Sequence, residues 1–574
     1  MTGELESVDY SDTPSTNPDV SYTYTRTGQM DTVTDSTGSR SFAYDPNHLV
    51  LTSETLDSSF YGGRVLTQKY DSASGTAGRN TGYTLSSGST TEQDIGYGYD
   101  SYGRFSSLST LSPTLSSSSA SFTYSYASGS NLIYTVADSD SGWTQTRTWN
   151  ATRNLLDSIE TIVNTTAKSQ FAYAYDAWGR RTSVVRTGEM YSRYENGGLV
   201  TTWGYDDRSE VTSAQSYYST SITNLNSPVE GRNYGYTFDS IGNRVSSSID
   251  SRTTGYTSNN LNQITSRTTP GSVDVSGFAP SSSTVGVTVQ GNAAAPTRAG
   301  DYFHAVGTVN NAGTSVDASV TVTSSNPNAS VTRKRFVPIG DNSGTPWQYD
   351  LDGNLTQDDQ WVYTWDAENR LVSMETRADL ISPNANVIAA ADARRIEFTY
   401  DYLGRRVQKL VRSGWDGSTY ATVLSTTRYV YDGWNLIAEY SVSSSGSLVL
   451  GRSFTWGLDL SGSSTGAGGV GGLLLMQDSS GQFEYGYDGN GNVSCVVNRA
   501  AGATVAEYEY SPFGEPLRAT GVYAQLNPFR FSTKYVDDET GLLYYGHRYY
   551  STSIGRFINR DPSEEQGHWC PKQV

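Results

Sequence analysis

The chain has 574 residues, with 58 Asp and Glu against 40 Lys and Arg, a net charge of −18 and 36% hydrophobic content. So acidic a balance lacks the basic face that nucleic acid binding needs, and it argues against docking on an anionic membrane. Hydrophobic content falls below the roughly 45–50% of a globular domain, but 42 Tyr, 16 Phe and 11 Trp supply the rings for burial that a disordered chain lacks.

Residues 1–18, MTGELESVDYSDTPSTNP, have neither a charged start nor an apolar core, so no signal peptide is read there. No run approaches the roughly 18 apolar residues of a membrane span. The pattern that organises the chain then begins. It is aromatic-x-aromatic-Asp-x-x-Gly, complete in YGYDSYGR (97–104), YAYDAWGR (173–180) and YTFDSIGN (236–243), then in WQYDLDGN (347–354), FTYDYLGR (398–405) and YGYDGNGN (485–492). Looser copies are FAYDPNH (42–48), WGYDDRS (203–209), YTWDAENR (363–370), YVYDGWN (429–435) and YEYSPFGE (508–515).

Residues i and i+2 of a strand share a face, so each copy lays two rings side by side. Asp followed three residues later by Gly is the pattern of a type I turn, in which the carboxylate caps a backbone N–H and Gly takes the left-handed exit. Six pairs are therefore predicted turn formers: Asp100 and Gly103, Asp176 and Gly179, Asp239 and Gly242, Asp350 and Gly353, Asp401 and Gly404, Asp488 and Gly491. Asn369 stands where Gly stands elsewhere and is the next most tolerant residue. Each copy is thus a β-hairpin. Because single hairpins are marginal in water, successive ones must pair edge to edge.

Residues 266–336 interrupt the pattern with alternating Val and Thr between Gly, Asn and Pro turns, which predicts a small β-sandwich, read as a spacer outside the repeat. The fold predicted is all-β: a long, spiralling antiparallel sheet of hairpins forming a hollow shell, with this sandwich inserted. The divisions are 1–265 and 337–505 for the repeat, 266–336 for the insert and 506–574 for a C-terminal unit. Strands with Ser and Thr on one side and Tyr on the other suit a wet lumen wall. No cofactor or metal is expected. The turns lack the dense Asp-x-Asp-x-Asp spacing of a calcium loop, and Cys495, Cys570 and four His leave little for zinc.

The repeats resemble the YD repeats of the Rhs (rearrangement hotspot) family. The stretches YSPFGEPLRATG (510–521) and NPFRFSTKYVDDETGLLYYGHRYYSTSIGRFINRDP (527–562) resemble its repeat-associated core domain. The insert is similar to bacterial Ig-like or glucodextranase-B-like modules. The family resemblance implies a hollow shell around a C-terminal toxin, or another polypeptide cargo, in a secreted or cell-surface bacterial system. It also implies a plugging core domain that cuts the chain through aspartates. By that resemblance Asp561 is the candidate catalytic aspartate, with Arg560 and Arg556 offsetting its charge and Asp537 or Asp538 as a second carboxylate. His547 reads as packed between strand aromatics. The family's Gly-rich stretch and the segment after it find no match between Pro562 and Val574, which leaves autoproteolysis without its cleavage site. The partners implied are the cargo and a cap or partner shell protein. The alternatives are a surface protein that binds glycans and a self-cleaving peptidase.

Overall fold

Every full repeat turns the same way. In the computed structural model, which describes residues 4–10, 19–73, 75–344, 346–382 and 387–562, strand Thr166–Tyr175 runs out to Asp176 and Arg181–Thr187 returns. The Asp176 N–H donates to the Arg180 carbonyl at 3.0 Å and the Gly179 N–H to the Asp176 carbonyl at 3.2 Å. Gly179 takes φ +88°, and Asn369, its counterpart in the looser copy, takes φ +60°. An L side chain adopts that region only at a cost, which Asn bears best.

The returning strand is offset. Register shifts at the second aromatic of the repeat, between Ala174 and Tyr175, and likewise at Tyr99, Tyr205, Tyr400, Tyr487 and Tyr510. A bulge of this kind takes a residue out of the ladder. The next hairpin makes good the loss: the carbonyl six residues past one second aromatic accepts from the second aromatic of the following repeat. Tyr126 donates to Phe105 at 2.6 Å, Tyr205 to Arg181 at 2.7 Å, Tyr400 to Leu371 at 2.7 Å, Tyr431 to Arg406 at 2.7 Å and Tyr510 to Val493 at 3.0 Å. The second ring therefore ties hairpin to hairpin.

Pairing sequence neighbours in this way builds a 21-stranded antiparallel sheet over residues 7–268 and a 14-stranded one over residues 348–520. The insert comes between these two ribbons in the chain, and across it Tyr349 donates to the Ile264 carbonyl at 2.9 Å, the same ring-to-carbonyl tie. Its two ends lie together, with the Thr269 N–H on the Gly340 carbonyl at 2.8 Å. Between them a three-stranded and a four-stranded sheet close on a core that includes Val273, Val287, Val289, Phe303 and Ala318.

This insert does not stand off as a spacer. Tyr302 and Phe303 are adjacent and point to opposite faces of one strand. Phe303 enters the insert's own core, while Tyr302 joins the rings of the first ribbon, 5.5 Å from Tyr194 and 6.2 Å from Tyr218. Phe278 adds a ring contact 4.9 Å from Tyr194.

The second ribbon is the middle layer. Strands Leu473–Asp478, Gly481–Tyr487 and Val493–Asn498 are buried on both faces. One face meets the first ribbon, hydroxyl to hydroxyl: Thr110 to Thr455 at 2.8 Å, Ser112 to Ser453 at 2.8 Å and Ser169 to Ser494 at 3.2 Å. At these positions the Ser and Thr face expected to line a wet lumen lines a closed seam instead, because paired hydroxyls satisfy one another. Beside the seam a cavity of about 540 Å³ remains, lined in part by Arg186, Trp203, Tyr205, Tyr234 and Glu509. The other face carries Phe454, Phe483, Tyr485 and Tyr508 to the C-terminal segment, where Phe529, Tyr523 and Asn527 meet them.

The first ring of the repeat has its own task. Turns of the second ribbon rest on first rings of the first ribbon: the Leu458 N–H on the Tyr124 hydroxyl at 3.2 Å, the Gly489 N–H on the Tyr173 hydroxyl at 2.7 Å, and Phe513 on Tyr236 at 4.9 Å. One ring joins hairpins along a ribbon and the other joins ribbons. A Tyr487→Phe change removes the donor to the Leu473 carbonyl, a bond of 2.5 Å between buried groups. It should cost about 1–3 kcal/mol, read as a lower urea midpoint with an unchanged slope.

Candidate functional site

The six turn carboxylates predicted from the sequence are all engaged in their own turns. The Asp176 Oδ1 atom accepts the Trp178 and Arg180 N–H groups at 3.0 and 2.9 Å, and its Oδ2 accepts the Arg180 guanidinium at 2.7 Å. Asp100 and Asp401 take Arg104 and Arg405 in the same way, while Asp239, Asp350 and Asp488 take Asn243, Asn354 and Asn492. The residue after Gly therefore belongs to the motif, a role the sequence reading missed although Arg or Asn recurs there. That Arg also reaches forward. Arg180 lies 4.7 Å over the Tyr205 ring and donates to the Asp206 carbonyl at 3.1 Å. The Asn243 amide holds the Asp239 carboxyl below its usual range, against some cost of desolvation.

The C-terminal segment folds as four short strands, Tyr535–Asp537, Leu542–Tyr544, Tyr549–Ser551 and Arg556–Phe557. It is anchored by Arg406 of the second ribbon. This guanidinium is fully buried among the rings of Phe398, Tyr429, Tyr535 and Tyr544, at 4.5–5.3 Å. It binds Asp537 at 2.6 Å, and Lys409 binds the other oxygen at 3.1 Å. Against the penalty of burial, Arg406 and Lys409 hold Asp537 below its usual pKa. Arg406 escaped the sequence reading because a single Arg in a strand carries no local signal of a partner 131 residues away.

The structure gives each candidate carboxylate a different arginine. Asp537 faces Arg406, Asp538 faces Arg530 at 2.8 Å, and Asp561 faces Arg548 at 2.6 Å. Of the two arginines expected beside Asp561, Arg556 donates to the Asn262 carbonyl at 2.7 Å, and Arg560 offers its backbone N–H to Asn354 at 3.3 Å. His547 packs at a tilt against Trp434, ring centres 4.5 Å apart, and burial lowers its pKa, with Arg548 adding to the effect. Cys570 lies outside the described residues, and Cys495 is a buried thiol whose pKa burial raises to about 11.

At the seam Glu484 and Asp138 share one cation. Arg499 binds Asp138 at 2.7 Å and lies 3.9 Å from Glu484, whose Oε1 accepts the Ser141 hydroxyl at 2.6 Å. Both carboxylates are fully buried. Burial, and then the charge of Asp138, push Glu484 up to about 8, with Ser141 and Arg499 opposing. Among the described residues, no helix is long and apolar enough to cross a membrane.

Hairpins tied ring to carbonyl, turns capped by Asp and a C-terminal segment seated on the rings define a YD-repeat shell protein. Residues 468–567 match the family described as Teneurin YD-shell. Over 215 residues, 37% of this chain, it is 28% identical to the tRNA3(Ser)-specific nuclease WapA of Bacillus spizizenii. Over 244 residues, 40% of this chain, it is 28% identical to the Double-stranded DNA deaminase toxin A of Burkholderia cenocepacia. The matches span 8% and 16% of those proteins. A solved structure described as TcdB2-TccC3-TEV covers 96% of this chain, at 14% identity and a TM-score of 0.43, with 26% of its own chain covered. Over these spans the chain is similar to Rhs/YD-shell proteins.

Proposed function

We propose that this protein is a non-enzymatic shell scaffold that shields a polypeptide toxin, or another polypeptide cargo, in a secreted or contact-delivered bacterial system. The observation that carries the reading is the three-layer arrangement: two ribbons packed face to face, with the C-terminal segment seated on the ring-lined face of the second through Arg406 and Asp537. Similarity to a protein described as a nuclease and to one described as a toxin supports a toxin as the cargo.

A cavity of about 540 Å³ has the size of a small-molecule pocket. A polypeptide is too large for that cavity and would enter where the ribbons part along the Ser and Thr seam. Its neutral hydroxyl contacts contribute about 0.5–1.5 kcal/mol each, and the Arg499–Asp138 ion pair at 2.7 Å also crosses it. Ser112 and Ser453, whose hydroxyls lie 2.8 Å apart, give a way to test this. A polypeptide reporter fused after Val574 should resist trypsin at least about tenfold longer than the free reporter. With Ser112→Cys and Ser453→Cys oxidised to a disulfide, that protection should disappear. Equal digestion of fused and free reporter removes the reading.

A further inference from the structure

We infer that Arg147, at the seam between the two ribbons, is the receptor of a buried site for a chloride-sized monoanion. Arg147 lies on strand Trp143–Trp149, opposite Ile159, and is 6% exposed. Its NH2 donates to the Gln145 carbonyl oxygen at 2.7 Å. Its NH1 is buried and has no hydrogen-bond partner among the described residues. The titratable groups whose charge acts on it are the phenols of Tyr124 on the first ribbon and Tyr487 on the second.

Other buried arginines of this chain show what is missing. Arg40 has Glu54, Arg64 has Glu92, Arg232 has Glu509, Arg406 has Asp537 and Arg518 has Glu507. Arg147 has no such ion pair among the described residues. An uncompensated charge in an interior is costly enough that a protein pairs it or neutralises it. Neutralisation fails here. Burial lowers the guanidinium pKa only to about 10, so it stays cationic at neutral pH. A mobile anion would supply the missing pairing.

The phenols assign its donors. The Tyr487 hydroxyl gives its proton to the Leu473 carbonyl at 2.5 Å. The Tyr124 hydroxyl instead accepts from the Leu458 N–H at 3.2 Å, which leaves its own O–H available to donate. A single guanidinium NH1 group without a partner in a closed seam suits a small, weakly basic monoanion better than a phosphate, whose charge and size exceed what one guanidinium offsets. The anion would brace the ribbons at the place where they meet, and the inference stands independently of any cargo.

The full chain is unfolded by heat and by urea in sodium chloride and in sodium gluconate at equal ionic strength. The folded-to-unfolded ratio should rise up to about tenfold for each tenfold rise in chloride above the dissociation constant, and gluconate should give no such slope. Arg147→Met should abolish the chloride dependence. Should that variant fail to fold, a bromide-soaked crystal of the unaltered chain provides the second measurement. It should show an anomalous peak within about 3.5 Å of NH1, the outer limit of a hydrogen bond to a large acceptor. Identical unfolding curves in the two salts, a slope that survives in Arg147→Met, or a water in place of the halide overturns the site.

Discussion

Asp537→Ala should destabilise the chain by about 3–5 kcal/mol, the usual cost of leaving a buried charge without its partner. Here two cations are left at once, Arg406 at 2.6 Å and Lys409 at 3.1 Å, in a site where Arg406 and Asp537 have side-chain exposures of 1% each. Lys409 keeps Glu539 at 3.0 Å, which spares part of the loss. Arg406 keeps the aromatic rings around it. Urea denaturation reads the loss directly. Limited proteolysis locates it, because residues 523–558 should become cleavable before either ribbon does. Changing both partners, Arg406→Met with Asp537→Leu, should recover much of the loss, since an apolar pair of similar volume removes the uncompensated charge. A single variant as stable as the parent would mean that this ion pair does not hold the C-terminal segment.

Glu484→Gln should act in the opposite direction and only at high pH. The Glu484 carboxyl is raised to about 8 by burial and by Asp138, whereas in the unfolded chain it titrates near its ordinary value of about 4.3. A folded-state pKa above the unfolded one means that the folded state binds the extra proton. The stability contributed by neutral Glu484 is therefore complete below about pH 4 and is lost progressively as pH rises to about 8. The loss is on the order of 5 kcal/mol at about 1.4 kcal/mol per unit. Gln cannot ionise, so the variant should be flat across this window. It should nearly match the parent at pH 4.5 and exceed it at pH 9 in urea midpoint. A parent chain with no slope between pH 5 and 8, or a variant that keeps it, would show that Glu484 is not the titrating group at the seam.

Both effects arise in contacts that no short stretch of sequence displays. The hairpins were legible because their physics is local. Asp and Gly three apart specify a turn, and alternate rings specify a shared face. Even there, the second aromatic looked like packing alone. Its bond to the previous hairpin's carbonyl follows from a bulge, and the repeat pattern gives no sign of the one-residue register shift that makes it. The candidate aspartates were ranked by motif, but Asp537, Asp538 and Asp561 each meet a separate arginine. Partner choice for a charge depends on which strands become neighbours. Arg147 shows the converse: it reads as an ordinary strand residue, and only its position between two ribbons leaves it unpaired.

From its residues alone this protein is committed to antiparallel hairpins, to turns capped by Asp and to a C-terminal segment of Rhs type, because these rest on neighbours within a few positions along the chain. Tertiary structure decided that Ser and Thr faces close into a seam rather than only facing water. It also decided that the insert docks through Tyr302, and that Arg406 is the anchor of the C-terminal segment. Those outcomes depend on groups hundreds of residues apart, and whether a polar or charged side chain is exposed, paired or stranded is a property of the surface that arrives opposite it.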